Sequence, residues 1–188
     1  MRNLAAALAA LLLAAGCGST PRESFYMLEA PAAAPPASLT SSLAVYVGPV
    51  VVPEAVDRTP MVIRTSPNQV DVEDFHRWAE PLKTAIPRVL AEDLMRELGT
   101  PRVGASRAAS LLPVDFRIAI EVQRFESSLA DGATIDALWT ITPKNGTART
   151  GRTLAHEAVE SPSHAAIAAA HSRALATIAK DIAAAIKG

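Results

Sequence analysis

The sequence predicts an α+β fold: a two-layer sandwich in which an antiparallel-rich mixed sheet carries two amphipathic helices packed on one face. Three observations lead there. Apolar residues recur at helical spacing in two long stretches, around residues 82–98 and from Pro162 to Lys187. Between those stretches, runs of residues alternate apolar and polar, as half-buried strands do. Asp131-Gly132 and Asn145-Gly146 fall between the alternating runs, where hairpin turns belong. One sheet and two helical stripes bury each other most simply as two layers.

Composition sets the frame. The chain has 188 residues, 18 Lys+Arg against 19 Asp+Glu, and one cysteine. That length suits one domain. A net charge of −1 leaves no basic surplus for nucleic acid. The apolar fraction of 49% excludes wholesale disorder, and 4% aromatics means a core of Val, Ile, Leu and Ala. A single cysteine permits no internal disulfide and no Cys-rich zinc site.

Residues 1–16 read as a lipoprotein signal peptide. Met1-Arg2-Asn3 gives a positive start, and Leu4 to Ala15 is unbroken apolar. As a helix this run covers about 18 Å, short of the roughly 30 Å needed to span a bilayer. It ends Leu13-Ala14-Ala15-Gly16-Cys17, which resembles the bacterial lipobox, whose cysteine is acylated and becomes the mature N-terminus. Ala14 holds the place where that pattern most often has Leu. The other reading is an ordinary signal peptide cut near Ala15, leaving Cys17 as a stray thiol. Several acyl chains on one cysteine, at about 0.8 kcal/mol per buried CH₂, anchor stably where one would not. Gly18 in the next position, rather than Asp, implies by the same resemblance the outer membrane, facing the periplasm.

Residues 17–42 then form a lipidated N-terminus, a polar tether, a short strand candidate at Phe25-Tyr26-Met27-Leu28, and a Pro/Ala linker holding Pro31, Pro35 and Pro36. Residues 43–188 form a single periplasmic α+β domain. Leu43, Val45 and Val47 alternate as a strand that Gly48-Pro49 interrupts before Val50-Val51-Val52. Met61 to Arg64 and Gln69 to Val72 are strand candidates joined by a turn at Ser66-Pro67-Asn68. Leu82, Ile86, Val89, Leu90, Leu94 and Leu98 form a helical stripe closed by Gly99 and Pro101. Pro87 requires either a kink or a regular helix that starts near Thr84. Phe116, Ile118, Ile120 and Val122 alternate, as do Ile135, Ala137, Trp139 and Ile141, and a third strand is expected over residues 152–159. Ser161 is the expected N-cap of the last helix, with Pro162 at its first position and Ile167, Leu175, Ile178, Ile182 and Ile186 as its stripe.

Two further segments carry a resemblance. One is Val47-Gly48-Pro49-Val50-Val51-Val52-Pro53-Glu54-Ala55-Val56-Asp57-Arg58-Thr59-Pro60-Met61-Val62-Ile63-Arg64, and the other Phe75-His76-Arg77-Trp78-Ala79-Glu80-Pro81-Leu82. Together with Phe25-Tyr26-Met27-Leu28 soon after a lipobox, they resemble the ABC-type transport auxiliary lipoproteins, the PqiC-like family. The resemblance implies an accessory, non-enzymatic lipoprotein beside an MCE-type lipid transporter, held to the membrane by its lipid. An MCE-domain protein of the same system is the implied partner; a homo-oligomer ringing that partner is compatible with the sequence, which does not give the oligomeric state. The family motif attaches no catalytic residues. Candidate partner-binding residues within these segments are Asp57, Arg58, Arg64, Arg77 and Trp78. For Trp78, packing at the start of the helix is the reading favoured by burial of large aromatics. Asp57 and Arg58 fit a polar turn where they pair or cap. Arg77 has the wrong sign for a helix N-terminus, which favours a contact elsewhere. An envelope biogenesis or secretion lipoprotein of pilotin or assembly-factor type, with a different partner, fits the lipobox, linker and small domain equally well.

The sequence nominates no catalytic, cofactor or metal site beyond the covalent lipid on Cys17. It has no G-x-S-x-G elbow, no phosphate-binding G-x-x-x-x-G-K-[ST] loop and no G-x-G-x-x-G. Nucleotide handling therefore belongs to another subunit. His156-Glu157 is followed by Glu160 where a zinc helix needs a second His, and it falls on an expected strand. His164 and His171 stand about 10.5 Å apart along their helix, too far to share an ion, and His171 is expected at the core edge.

Overall fold

The computed structural model describes residues 22–31 and 40–188. The signal peptide, Cys17 and residues 32–39 of the linker lie outside the described residues. Eight strands form one mixed sheet: β1 (Ser24–Tyr26), β2 (Val45–Val51), β3 (Pro60–Ser66), β4 (Gln69–Trp78), β5 (Val103–Gly104), β6 (Phe116–Ser128), β7 (Gly132–Pro143) and β8 (Arg149–Glu157). The helices are α1 (Leu82–Leu98), α2 (Arg107–Ser110) and α3 (His164–Lys187).

β6 is the axis of the sheet. β7 and β8 follow along one of its edges as the expected antiparallel meander. Its other edge is shared. β2 lies parallel to it from Phe116 to Glu121, and β3 meets it near the far end, Ile63 opposite Ser127. β4 folds back on β3, β1 lies parallel outside β4, and β5 lies parallel outside β2. α1 packs over β2 and β5, α3 over β7 and β8, and the two helices touch each other. The α+β sandwich expected from sequence is therefore the fold.

The helical stripes do what their spacing requires. Leu82, Ile86, Val89, Leu90 and Leu94 of α1, with Ile167, Leu175, Ile178 and Ile182 of α3, are buried against Ile118, Ile120, Ile135 and Ile141 of the sheet. α1 runs unbroken from Leu82 with Pro87 inside it. Gly99 ends it in a left-handed conformation, φ 63°, while the Gly99 and Thr100 amides donate to the Arg96 and Met95 carbonyls. Thr100 Oγ1 then donates to the Leu43 carbonyl at 2.6 Å, which fixes the chain entering β2 against the helix end.

The interruption expected at Gly48-Pro49 is a register shift against β6 between Val47 and Val50, through which β2 continues. The structure corrects the sequence reading at three places. β4 continues to Trp78, so Trp78 closes a strand and does not open a helix. The N-cap of α3 is Ser163, whose hydroxyl accepts from the Ala166 amide at 3.2 Å, while Ser161 stands two residues outside the helix. His171 lies in the core and not at its edge, fully buried, with Nε2 2.8 Å from Ser127 Oγ.

Candidate functional site

The segment that follows the tether is built into the domain. β1 pairs with the end of β4, Ser24 opposite His76 and Tyr26 opposite Trp78. Leu28 is buried, and its carbonyl accepts from Arg88 of α1 at 2.8 Å. The next amide, on Glu29, donates to Ser172 Oγ of α3 at 3.1 Å. The segment is thus sewn to both helices and to the sheet, and it joins the edge at which Cys17 precedes Ser24 by seven residues.

Three of the sequence candidates gather at this edge. The β2–β3 loop carries Asp57 and Arg58, and Trp78 donates its amide to the Thr59 carbonyl at 2.8 Å, which holds that loop to the end of β4. Pro60 stands opposite Arg77, and Arg77 stands opposite Phe25. Asp57 pairs with Lys83 of α1 at 2.5 Å. Arg77 pairs with Glu23 at 3.3 Å and donates to the Asp74 carbonyl. Arg58 is exposed and makes no ion pair among the described residues.

Arg64 stands apart, beyond the middle of β3, where it pairs with Glu126 at 3.2 Å. Glu126 is also gripped by Arg124, whose hydrogen bonds hold its carboxyl below the usual carboxylate range. Asp136, itself buried, receives two bonds from exposed Arg152 at 2.8 and 2.5 Å, and these lower its pKa in the same way. Trp78 is 3% exposed, edge-on to Phe125 and His171 with centroids 6.0 Å away. Its ring packs the core and offers no face to a partner, so it leaves the candidate set.

The same edge exposes apolar side chains that the sequence reading did not single out. Phe25 and Met27 are 59% and 51% exposed, and Val70, Val72 and Phe75 of β4 are also open to solvent. β1 covers β4 only at His76, Arg77 and Trp78, so from Gln69 to Phe75 no strand lies outside β4 among the described residues. An open strand edge beside exposed Val and Phe, flanked by Arg58 and Arg77, has the chemistry of a protein-docking surface.

A second feature also escaped the sequence reading. Glu73 and His76 of β4 meet His164, the first residue of α3, with one potential ligand atom from each within 4.8 Å of the others. Three positions apart on a regular strand, Glu73 and His76 would face opposite ways. Between Val72 and Arg77, however, β4 advances five residues while β3 advances two, from Val62 to Pro60, and the irregularity turns both to one side. No local spacing signals this, since the third member lies on another element.

A family model for the ABC-type transport auxiliary lipoprotein component matches residues 26–183. The chain belongs to that family. It is a family of transport components and not a known enzyme family. Its members are lipoproteins, in keeping with the Cys17 motif. Among solved structures, that of an uncharacterised protein is similar with a TM-score of 0.74 at 18% identity, covering 88% of this chain and 99% of the other. Protein XCC0632 from Xanthomonas campestris is similar with a TM-score of 0.65 at 21% identity, covering 85% and 92%. Both likenesses are of fold. No curated protein matches the sequence. Among the described residues, no helix is long and apolar enough to cross a membrane.

Proposed function

We propose that this auxiliary lipoprotein is anchored in the outer membrane through acylated Cys17 and docks a periplasm-spanning MCE-domain protein of an ABC-type lipid transport system. The observation that carries the reading is the position of β1. It is fixed in the sheet next to Arg77 and the 57–59 loop, and it follows Cys17 after a tether that spans roughly 20 Å when extended. A partner surface built there is held close to the membrane from which the tether comes. Exposed Phe25, Met27, Val72 and Phe75 supply apolar contact, and Arg58 and Arg77 supply charge at its rim. In this reading lipid passes through or along the partner, and the role of this chain is to hold and orient it, with several copies able to surround one partner.

The test is affinity purification of the native lipoprotein from detergent-solubilised envelopes. An MCE-domain protein co-elutes, Asp57→Lys reduces its recovery, and Arg58→Glu does so without lowering the melting temperature, because Arg58 is exposed and makes no ion pair among the described residues. Recovery of secretion or pilus components alone would instead favour an assembly-factor lipoprotein.

A further inference from the structure

We propose that Glu73, His76 and His164 form a binding site for one zinc ion, which ties the lipid-proximal edge of the sheet to the start of α3. The donor set is two imidazoles and one carboxylate, which suits a borderline cation such as Zn²⁺ better than the oxygen-preferring Mg²⁺ or Ca²⁺. His164 Nε2 is buried with no hydrogen-bond partner, 3.5 Å from Glu73 Oε1. Two ligands that each sit about 2.0–2.1 Å from a tetrahedral ion stand about 3.3 Å apart, so this pair already spans one edge of a zinc tetrahedron. A buried nitrogen left without a partner is costly, and a metal satisfies it.

His76 completes the set. Its Nδ1 lies 2.8 Å from the Tyr26 hydroxyl, which leaves Nε2 free. With a metal on Nε2, Nδ1 carries the proton and donates to Tyr26 Oη, the second contact that orients a ligating histidine. The His76 and His164 rings are stacked, centroids 3.6 Å apart and planes within 7°. An imidazole lone pair lies in the plane of its ring, so coordination would turn the two rings out of this stack toward one point, with Glu73 already within reach of both. A fourth position is left for water. Glu73 and His76 belong to β4 and His164 to α3, so the ion would link these two elements, with Tyr26 of β1 orienting one of its ligands.

The full chain, purified in detergent and stripped with a chelator, is titrated with zinc chloride by calorimetry. We expect one Zn²⁺ per chain and a rise in melting temperature with excess zinc, since an ion that binds only the folded state stabilises it. Glu73→Gln and His164→Ala should weaken binding at least ~10-fold, and Tyr26→Phe by about 10–100-fold, the usual effect of losing an orienting contact. His156→Ala, on exposed β8, should change nothing. Far-UV circular dichroism on each variant separates loss of a ligand from loss of the fold, and Tyr26→Phe, which keeps the ring, guards against the latter. Absence of stoichiometric binding to the wild type would overturn the proposal, as would binding that survives both Glu73→Gln and His164→Ala.

Discussion

The imidazole of His171 lies flat on the ring of Phe125, centroids 3.8 Å apart and planes within 4°, with Trp78 edge-on to both. This aromatic group joins α3, β6 and β4 beneath the edge where β1 pairs with β4. His171 Nε2 meets Ser127 Oγ, while Nδ1 is buried without a partner. The group is therefore built around a neutral histidine.

That histidine predicts an acid sensitivity. Burial lowers the His171 pKa from 6.5 to about 3, so the unfolded chain takes up a proton that the folded chain refuses. Its contribution is complete above pH 6.5 and is lost as pH falls toward 3. Asp93 works in the opposite direction. Burial pushes its carboxyl up from 3.8 to about 6, with Oδ2 unpartnered, so its contribution is fully present below pH 3.8 and is lost as pH rises through 6. Between pH 6 and 3.8 the two nearly offset. Asp93→Asn should remove the offset and raise stability above pH 6 by ~1–3 kcal/mol. Urea midpoints measured from pH 4 to 8 check this, and superimposable wild-type and Asp93→Asn curves would contradict it.

Trp78→Ala should destabilise the domain by about 3–5 kcal/mol, the range for emptying a buried aromatic site. Its melting temperature is the readout. Unchanged melting with loss of partner recovery would mean that the indole serves the interface after all.

Gly151 faces Trp139 across β7 and β8, and a methyl on Gly151 would overlap the benzene ring of that indole. Trp139 Nε1 donates to Thr153 Oγ1 at 3.1 Å, which in turn donates to Asp181 of α3 at 2.7 Å, so the ring cannot swing aside without breaking this chain. Gly151→Ala should cost about 1–3 kcal/mol by overpacking. Adding Trp139→Phe should recover part of that loss in denaturant titrations, and strict additivity of the two changes would argue against the contact.

Cys17→Ala should leave the protein without label from a fatty-acid analogue and with its signal peptide misprocessed. Gel mobility and labelling in cells give the answer. Normal labelling of the variant would return Cys17 to the reading of a stray thiol.

Much of the fold could be read from local pattern. The stripe of Leu82, Ile86, Val89, Leu90 and Leu94 and the alternation at Ile118, Ile120 and Val122 each fix one buried face, and Asp131-Gly132 and Asn145-Gly146 mark the turns. What could not be read is pairing without local connection. β2 beside β6 and β1 beside β4 are parallel contacts between distant segments, and short runs such as Val103-Gly104 gain their strand character only from the neighbour they meet. The candidate residues divide in the same way. Asp57, Arg58 and Arg77 come together because Pro60 pairs with Arg77, whereas Arg64 and Trp78 are taken up by Glu126 and by the core. The Glu73, His76 and His164 cluster depends on an irregular β4 and on the position of α3, neither of which has a spacing of its own.

The most direct test of the docking account is site-specific photo-crosslinking in intact envelopes, with a photoreactive residue in place of Arg58 and, separately, in place of Leu154 on the opposite, open face of the sheet. Both positions are exposed, so either can report a neighbour. The account predicts an adduct with an MCE-domain protein from position 58 and none from position 154. An adduct from position 154 alone, or adducts from position 58 only with secretion components, would contradict it.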